Sequence, residues 1–318
     1  MSSEIERYQK HIENWVDSLD SEISYWNYAM REMGGEFFVY WENLVKPNKP
    51  FVYENFLKSL GDSKNDYKFI DVGSGPCFAG GTVTKDISVD IRAVDPLGYL
   101  YNRLRRDYGV HSDIDIETGF VECLDKKYSA NTFDMVTMNN SLDHSFDPIQ
   151  GIKELLYIAK IGGIVRLCHK ENEAEWENYQ GLHQWNISLD NHEKALVIWN
   201  KKKRINVSKE LEGFVEFSYE SKKDPATGDC WNTVILKKSR DISVDSSAYY
   251  DSMLEIVYSR LLMSKLKYAQ DNQSAPSPTD LIIRQMRSAY TENKNCFNDY
   301  LQKNGSVVIY GMGAIGRA

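Results

Sequence analysis

The sequence predicts an α/β fold with a mostly parallel sheet, and three observations support this prediction. Short runs rich in Val, Ile and Phe alternate with helical stretches between residues 67 and 170, a pattern typical of parallel strands joined by helical crossovers. The first run leads directly into a turn that contains Gly73 and Gly75. Two later apolar runs flank a turn-rich segment at 224–229, which predicts an antiparallel hairpin that closes the sheet.

The individual elements follow from the same patterns. The predicted strands of the parallel part are Tyr67–Val72, Val89–Val94, Ile116–Val121, Phe133–Met138 and Gly163–Cys168. Two hairpins are predicted, one from Phe214–Tyr219 and Trp231–Leu236 and a smaller one from Ala195–Asn200 and Arg204–Val207. A helix is predicted over Pro148–Lys160, and Gly162 and Gly163 are expected to end it because glycine is common just after helices.

Residues 1–60 are predicted to be helical, since Ile12, Trp15 and Leu19 recur at the spacing of one helix face. This region is expected to act as a cap, and its aromatic residues either pack as core or form a lid over a ligand. The central domain is predicted at 61–238 and a helical linker or extension at 239–305.

Residues 306–318 consist of an apolar run followed by Gly311, Gly313 and Gly316. A strand that leads into a G-x-G-x-x-G turn is typical of dinucleotide-binding domains, although the motif alone is weak. One strand and one turn cannot form such a domain. The expectation is therefore that 306–318 begins a further, truncated nucleotide-binding domain that continues beyond residue 318.

The amino-acid composition argues against several classes of protein. The net charge of −8 disfavours sequence-independent nucleic-acid binding, which depends on neutralising phosphates. No stretch approaches the about 20 apolar residues that a membrane span needs, and the first residues lack the apolar core of a signal peptide. The five cysteines are scattered without a C-x-x-C pair. These features predict a cytoplasmic protein with reduced thiols.

The segment 69–76 is a buried strand that runs into a glycine turn, where bare backbone can approach a ligand closely. A helix is expected after the turn, with its N-terminal amides aimed at that ligand. Asp95 ends the second strand, a position from which a carboxylate can accept both hydroxyl protons of a ribose. A dinucleotide site is also compatible with this pattern, but Phe78 replaces its third glycine and Pro76 removes an amide from the loop.

These motifs resemble those of class I S-adenosylmethionine-dependent methyltransferases over residues 67–237. The family's acidic residue and G-x-G loop match Asp71, Gly73 and Gly75, and its acidic end of the second strand matches Asp95. Further matches are the G-x-x-E element at 119–122, the F-D-x-V strand entry at 133–136 and the loop at 139–148. The resemblance implies a Rossmann-like doubly wound sheet of seven strands with the last strand antiparallel.

The resemblance also implies S-adenosylmethionine as the cofactor. The residues expected to bind it are Asp71, Gly73, Ser74, Gly75, Pro76, Asp95, Pro96, Phe120, Glu122, Asn139 and Asn140.

Three of the six histidines fall in loops that follow the fourth and fifth strands, where the chemistry of such folds takes place. His144 or His183 is predicted to remove a proton from the acceptor, with Asp143 orienting the base. The alternative for each of these histidines is a structural role in hydrogen bonding. For His169 the alternative is a hydrogen bond to polar groups at the end of the fifth strand.

No metal site is predicted, because the alternating glutamates at 171–177 have no histidine near them at a spacing typical of metal ligands. The predicted activity is O-methylation of a small polar acceptor, such as a sugar or sugar phosphate of a bacterial surface glycan, with nucleotide sugars included. The basic tip at 201–204 is expected to be solvated, or else to hold a phosphorylated acceptor. An NAD(P)-dependent oxidoreductase and a non-catalytic S-adenosylmethionine-binding module remain as alternatives.

Overall fold

The computed structural model describes residues 2–32, 44, 48–61, 65–190, 192 and 195–256, with side chains from residue 10 onward except residue 11. The chain divides into two compact units, Met1–Tyr250 and Asp251–Ala318. Of the second unit only 251–256 are described, and they are helical. The extension predicted at 239–305 therefore falls largely, and the further domain at 306–318 entirely, outside the described residues. Among the described residues, no helix is long and apolar enough to cross a membrane.

Within the described part of the first unit, the helices with both ends defined are α1 (Ser2–Arg31), α2 (Glu54–Lys58), α3 (Gly98–Tyr108), α4 (Pro148–Ile158), α5 (Glu173–Trp176) and α6 (Val207–Glu210). Short 3₁₀ helices cover Val121–Lys126 and Leu142–His144. The strands are β1 (Asp66–Val72), β2 (Ser88–Asp95), β3 (Ile116–Thr118), β4 (Phe133–Asn139), β5 (Ala159–Lys170), β6 (Asn186–Asp190), β7 (Ala195–Trp199), β8 (Arg204–Asn206), β9 (Val215–Lys223) and β10 (Cys230–Lys238).

Seven strands form the main sheet in the order β3-β2-β1-β4-β5-β10-β9. Strands β1 to β5 pair in parallel, whereas β10 runs antiparallel to both β5 and β9. The predicted Rossmann-like sheet of seven strands, with its last strand antiparallel, is thus confirmed. The strand order reverses between β1 and β4, and ligands of such sheets bind beyond the carboxyl ends of the strands at this switch point.

A second sheet has three strands in the order β6-β7-β8. Its β7–β8 pair is the small hairpin that the sequence predicted, with Trp199 opposite Arg204. The basic tip of this hairpin at 201–204 is exposed, and Lys201 lies over the ring of Tyr179, with its Nζ 4.4 Å from the ring centroid.

The helix expected after the glycine turn is absent, which corrects the prediction. Residues 73–87 form turns and bends between β1 and β2. Gly80 and Gly81, followed by a β-branched run at 82–84, disfavour helix formation. The segment is held instead by a parallel bridge between Pro50 and Val83.

Two element boundaries also differ from the prediction. Helix α4 ends at Ile158 and β5 begins directly at Ala159, so Gly162 and Gly163 lie within the strand rather than at a helix end. The pairing of β4 with β5 shifts register there, and a Cβ on Gly163 would lie 2.9 Å from the carbonyl oxygen of Asp134. These glycines therefore permit a bulge. Strand β3 stops at Thr118 because the chain turns into a 3₁₀ helix.

Candidate functional site

The turn after β1 is shaped by Gly73 and Gly75, with φ of 66° and 62°. This left-handed region is strained for other residues. A Cβ on Gly73 would lie 2.3 Å from Oγ of Ser141, which belongs to the loop after β4. The two loops at the switch point therefore contact each other only because residue 73 has no side chain.

The substitution Gly73→Ala is expected to lower the free energy of unfolding by about 2 kcal/mol or more, because the strained φ and the clash with Ser141 add. Urea unfolding measures this change. Gly61→Ala is the matched control, since a Cβ there meets no atom within 4 Å. Equal losses for the two variants would show that the contact between the loops is not needed.

An open cleft lies at the switch point. Its wall is formed by Trp15, Leu19, Glu22, Val72, Gly73, Asp95, Pro96, Leu97, Tyr101, Gly119, Val121, Glu122, Met138, Ser141, His144, Ser145 and Leu182. Four predicted cofactor residues are among them: Gly73, Asp95, Pro96 and Glu122. The cleft thus joins the ends of β1, β2 and β4 with one face of α1.

Helix α1 supplies both core packing and cleft wall through residues 15–22. The core-or-lid alternatives concern the aromatic residues that follow, and since Phe37, Phe38, Tyr40 and Trp41 lie outside the described residues, they stay predictions. Trp15 is buried and packs edge-on against Phe120 and Phe146, with ring centroids 5.6 and 6.3 Å apart. Leu19 and Glu22 follow on the same helix face. The sequence prediction missed Glu22, although its spacing from Trp15 and Leu19 could have revealed it.

Asp95 is held rigidly at the floor of the cleft. It accepts hydrogen bonds from the backbone amides of Gly75 (3.0 Å) and Leu97 (2.9 Å). It is only 8% exposed, and burial raises its pKa to about 6. Each carboxylate oxygen still has a lone pair for a further donor from the cleft.

Glu122 lines the cleft and binds the loop that follows β4. Its carboxylate accepts hydrogen bonds from the backbone amides of Phe146 (2.8 Å) and Asp147 (3.2 Å), and burial raises its pKa to about 8. Asp147 in turn caps α4 by accepting from the amides of Ile149 and Gln150. This chain of bonds fixes the loop after β4 against the 3₁₀ helix at Val121–Lys126.

Three further predicted residues, Asp71, Asn139 and Asn140, do not belong to the cleft wall. Asp71 accepts hydrogen bonds from Thr137 Oγ1 (2.6 Å) and Asn139 Nδ2 (3.0 Å), and Asn139 Oδ1 accepts from Arg166 (2.7 Å). Asn140 links β4 to β5, because its Oδ1 accepts from the amide of Lys170 (3.0 Å). These contacts give the three residues a supporting role. Of the other predicted residues, Phe120 packs on Trp15, and Ser74, Gly75 and Pro76 continue the turn beside the cleft.

Burial raises the pKa of Asp71 to about 7, which makes a pH-dependent stability expected. Between about pH 4 and 7 the folded chain keeps a proton that the unfolded chain releases, so stability falls as pH rises through this window. In the variant Asp71→Asn, the decrease in the free energy of unfolding across this pH window should be smaller by about 1–4 kcal/mol.

Urea unfolding of the wild type and of Asp71→Asn at a series of pH values measures this difference. Asp66→Asn is the control, since Asp66 is exposed at the start of the same strand. A wild-type pH profile that Asp71→Asn leaves unchanged would contradict the assignment.

The predicted catalytic residues come together beside the cleft. His183 Nδ1 lies 2.7 Å from Asp143 Oδ2 and 3.2 Å from His144 Nε2. The side chain of Asp143 is buried, whereas those of His144 and His183 are 20% and 25% exposed. Hydrogen bonds explain the meeting of the two segments: the amide of Gln184 donates to the carbonyl of Asp143, and Trp185 Nε1 donates to that of Ser145.

Asp143 and His183 each stabilise the charged form of the other. Burial favours the neutral form of Asp143, but His144 and His183 outweigh it and lower the pKa of the carboxyl. Burial likewise opposes the charge on His183, but the hydrogen bond to Asp143 and the nearby glutamates raise its pKa. Burial lowers the pKa of His169 to about 4, so His169 is neutral at physiological pH. Within the described part of the chain, neither ring nitrogen of His169 has a hydrogen-bond partner.

No protein-family model matches the sequence, and no curated protein matches it either. Among solved structures, the chain is similar to a putative S-adenosyl-L-methionine-dependent methyltransferase from Methanococcus maripaludis, with 22% identity, coverage of 64% of this chain and 90% of that one, and a TM-score of 0.39. A S-adenosylmethionine-dependent methyltransferase from Aquifex aeolicus is similar at 11% identity, with coverage of 66% and 98% and a TM-score of 0.37. A phosphoethanolamine N-methyltransferase from Haemonchus contortus is similar at 15% identity, with coverage of 58% and 52% and a TM-score of 0.41.

Proposed function

We propose that this chain is a methyltransferase that uses S-adenosylmethionine. The observation that carries the proposal is the cleft at the switch point, where Asp95 is fixed by two backbone amides beside a side-chain-free Gly73. A carboxylate at the end of β2 is placed to accept both hydroxyls of a ribose. A cytoplasmic location remains the expectation from composition.

The residues present fit this cofactor. The hydroxyl oxygen of Ser141 is buried in the cleft wall and has no hydrogen-bond partner among the described residues, so it is available to a polar group of a ligand. Trp15 and Leu19 offer apolar surface opposite Asp95 and Pro96. Together these groups match a ligand that has a ribose, an aromatic base and a small polar tail.

The turn after β1 argues against the oxidoreductase alternative. Dinucleotide sites place a pyrophosphate at the N-terminus of the helix after the glycine turn. Here 73–87 form turns and bends instead of that helix, and Pro76 removes one more amide donor. A cofactor without a pyrophosphate suits this loop better.

When bound, the cofactor supplies a methyl group made electrophilic by the sulfonium. The chain's own contribution is the alignment of an acceptor and the removal of its proton. His144 is the member of the cluster that lines the cleft. We therefore assign to His144 the removal of the proton from an acceptor hydroxyl. His183 and Asp143 would then position the ring of His144 and share the charge that it gains.

The proposed reaction is O-methylation of a small polar acceptor. Sugars and sugar phosphates of the bacterial surface-glycan type, including nucleotide sugars, form the class to test first, because their hydroxyls need a base and their phosphates suit the exposed basic tip at 201–204. N-methylation of an amine that binds in its neutral form would require no base before transfer, and it is the alternative within the same enzyme class.

Calorimetric titration of the chain with S-adenosylhomocysteine and, separately, with NADH tests the cofactor. Saturable binding of the first alone is expected, and binding of NADH alone would overturn the proposal in favour of an oxidoreductase. Transfer of labelled methyl from S-adenosylmethionine to a panel of sugars, sugar phosphates and amines then distinguishes an enzyme from a non-catalytic binding module.

A further inference from the structure

Three potential ligand atoms converge at the edge of the cleft. Nδ1 of His183 lies 2.7 Å from Oδ2 of Asp143 and 3.2 Å from Nε2 of His144. The last two atoms are 3.7 Å apart. Neighbouring ligands of a metal with bonds of about 2.0–2.1 Å lie about 3 Å apart, in either octahedral or tetrahedral geometry. A point about 2.1 Å from all three atoms therefore exists just outside their plane.

The cluster has fewer protons than acceptors. A proton on Nδ1 of His183 faces both Asp143 Oδ2 and His144 Nε2, so only one of these contacts can be a full hydrogen bond. The second oxygen of Asp143 is also buried, and the structure gives it no hydrogen-bond partner within the described ranges. A cation at the centre of the three converging atoms accepts lone pairs from Oδ2 and from both ring nitrogens at once and adds positive charge beside the unpaired second oxygen.

The cluster is rigid on one side and open on the other. Asp143 and His144 belong to one 3₁₀ helix, and the amide of Gln184 ties the segment that carries His183 to the carbonyl of Asp143. The side chain of Asp143 is only 3% exposed, but both histidines reach partly into solvent, and His144 lines the cleft. A bound ion would thus keep open positions toward the cleft.

We propose that Asp143, His144 and His183 bind one divalent transition-metal ion, with Zn²⁺ as the first candidate. Two imidazoles and one carboxylate suit Zn²⁺, Fe²⁺, Co²⁺ and Ni²⁺ better than Mg²⁺ or Ca²⁺, which prefer oxygen ligands alone. The open positions face the place where the acceptor would lie, so the ion would hold an acceptor oxygen. A bound ion would occupy the Nε2 lone pair of His144, so in the metal-bound protein the ion, rather than this nitrogen, would promote loss of the hydroxyl proton. That role rests on the proposed methyltransferase function, whereas metal binding itself does not.

The test is a titration of the full, untagged and chelator-treated chain with Zn²⁺ and with Co²⁺, followed by calorimetry and, for Co²⁺, by visible absorption. One ion per chain is expected. His144→Ala and His183→Ala should each weaken binding by at least about tenfold, and both sites are partly exposed, so the variants should fold. His111→Ala is the control, because His111 is 82% exposed near an aspartate and away from the cluster.

The same variants are titrated with S-adenosylhomocysteine, which keeps the two proposals separate. Lost metal binding with retained S-adenosylhomocysteine binding supports the metal site. Failure of the wild type to bind one ion, or equal affinity in His183→Ala and His111→Ala, would overturn the metal site. Failure to bind S-adenosylhomocysteine would instead overturn the proposed cofactor.

Discussion

Asp95→Ala is expected to weaken the binding of S-adenosylhomocysteine by about 10- to 150-fold. Hydrogen bonds to a charged acceptor contribute about 1.5–3 kcal/mol, which corresponds to this range of affinity. The carboxylate is buried and already oriented by the amides of Gly75 and Leu97, so a ribose would meet a group that needs little reorganisation.

Calorimetry measures the change in affinity, and circular dichroism checks that the variant remains folded. Asp90→Ala serves as the matched control, since Asp90 is an exposed aspartate on the same strand. If Asp95→Ala and Asp90→Ala bind the ligand as tightly as the wild type, the cofactor lies elsewhere. A loss in both would indicate a general effect of charge.

His144→Ala is expected to lower turnover by about 10²–10⁴-fold, the usual contribution of a positioned base. S-Adenosylhomocysteine should still bind, because the variant leaves Asp95 and Gly73, which are expected to contact it, unchanged. The test is the measurement of kcat and KM in steady state with an acceptor found in the screen.

His183→Ala should lower kcat less than His144→Ala, because His183 acts through its neighbour and lies outside the cleft wall. His111→Ala again provides an exposed control. Near-normal turnover in both cluster variants at neutral pH would mean that the reaction needs no histidine, and an amine or a phosphate-like oxygen would become the better acceptor.

Local sequence patterns predicted the sheet and placed Gly73 and Asp95 at the ends of its strands. The strand before Gly73 and the strand that ends at Asp95 each carry their pattern within about ten residues, and parallel pairing then brings their carboxyl ends together. The irregular segment at 73–87 was predicted wrongly as a helix start, although Gly80, Gly81 and the β-branched residues that follow carry the opposite preference.

Long-range packing created what the sequence could not reveal. Asp143 and His183 are brought together by the bond between the amide of Gln184 and the carbonyl of Asp143, and no regular spacing encodes such a contact. For the same reason a metal site could not be predicted from the sequence. Glu22 belongs to the cleft only because Trp15 docks α1 onto Phe120 and Phe146.

A crystal structure of the chain with S-adenosylhomocysteine tests the proposed cofactor site. We expect the ligand in the cleft, with both ribose hydroxyls within hydrogen-bonding distance of Asp95 and the sulfur on the side of His144. A ligand bound elsewhere, or a ribose that makes no contact with Asp95, would contradict it.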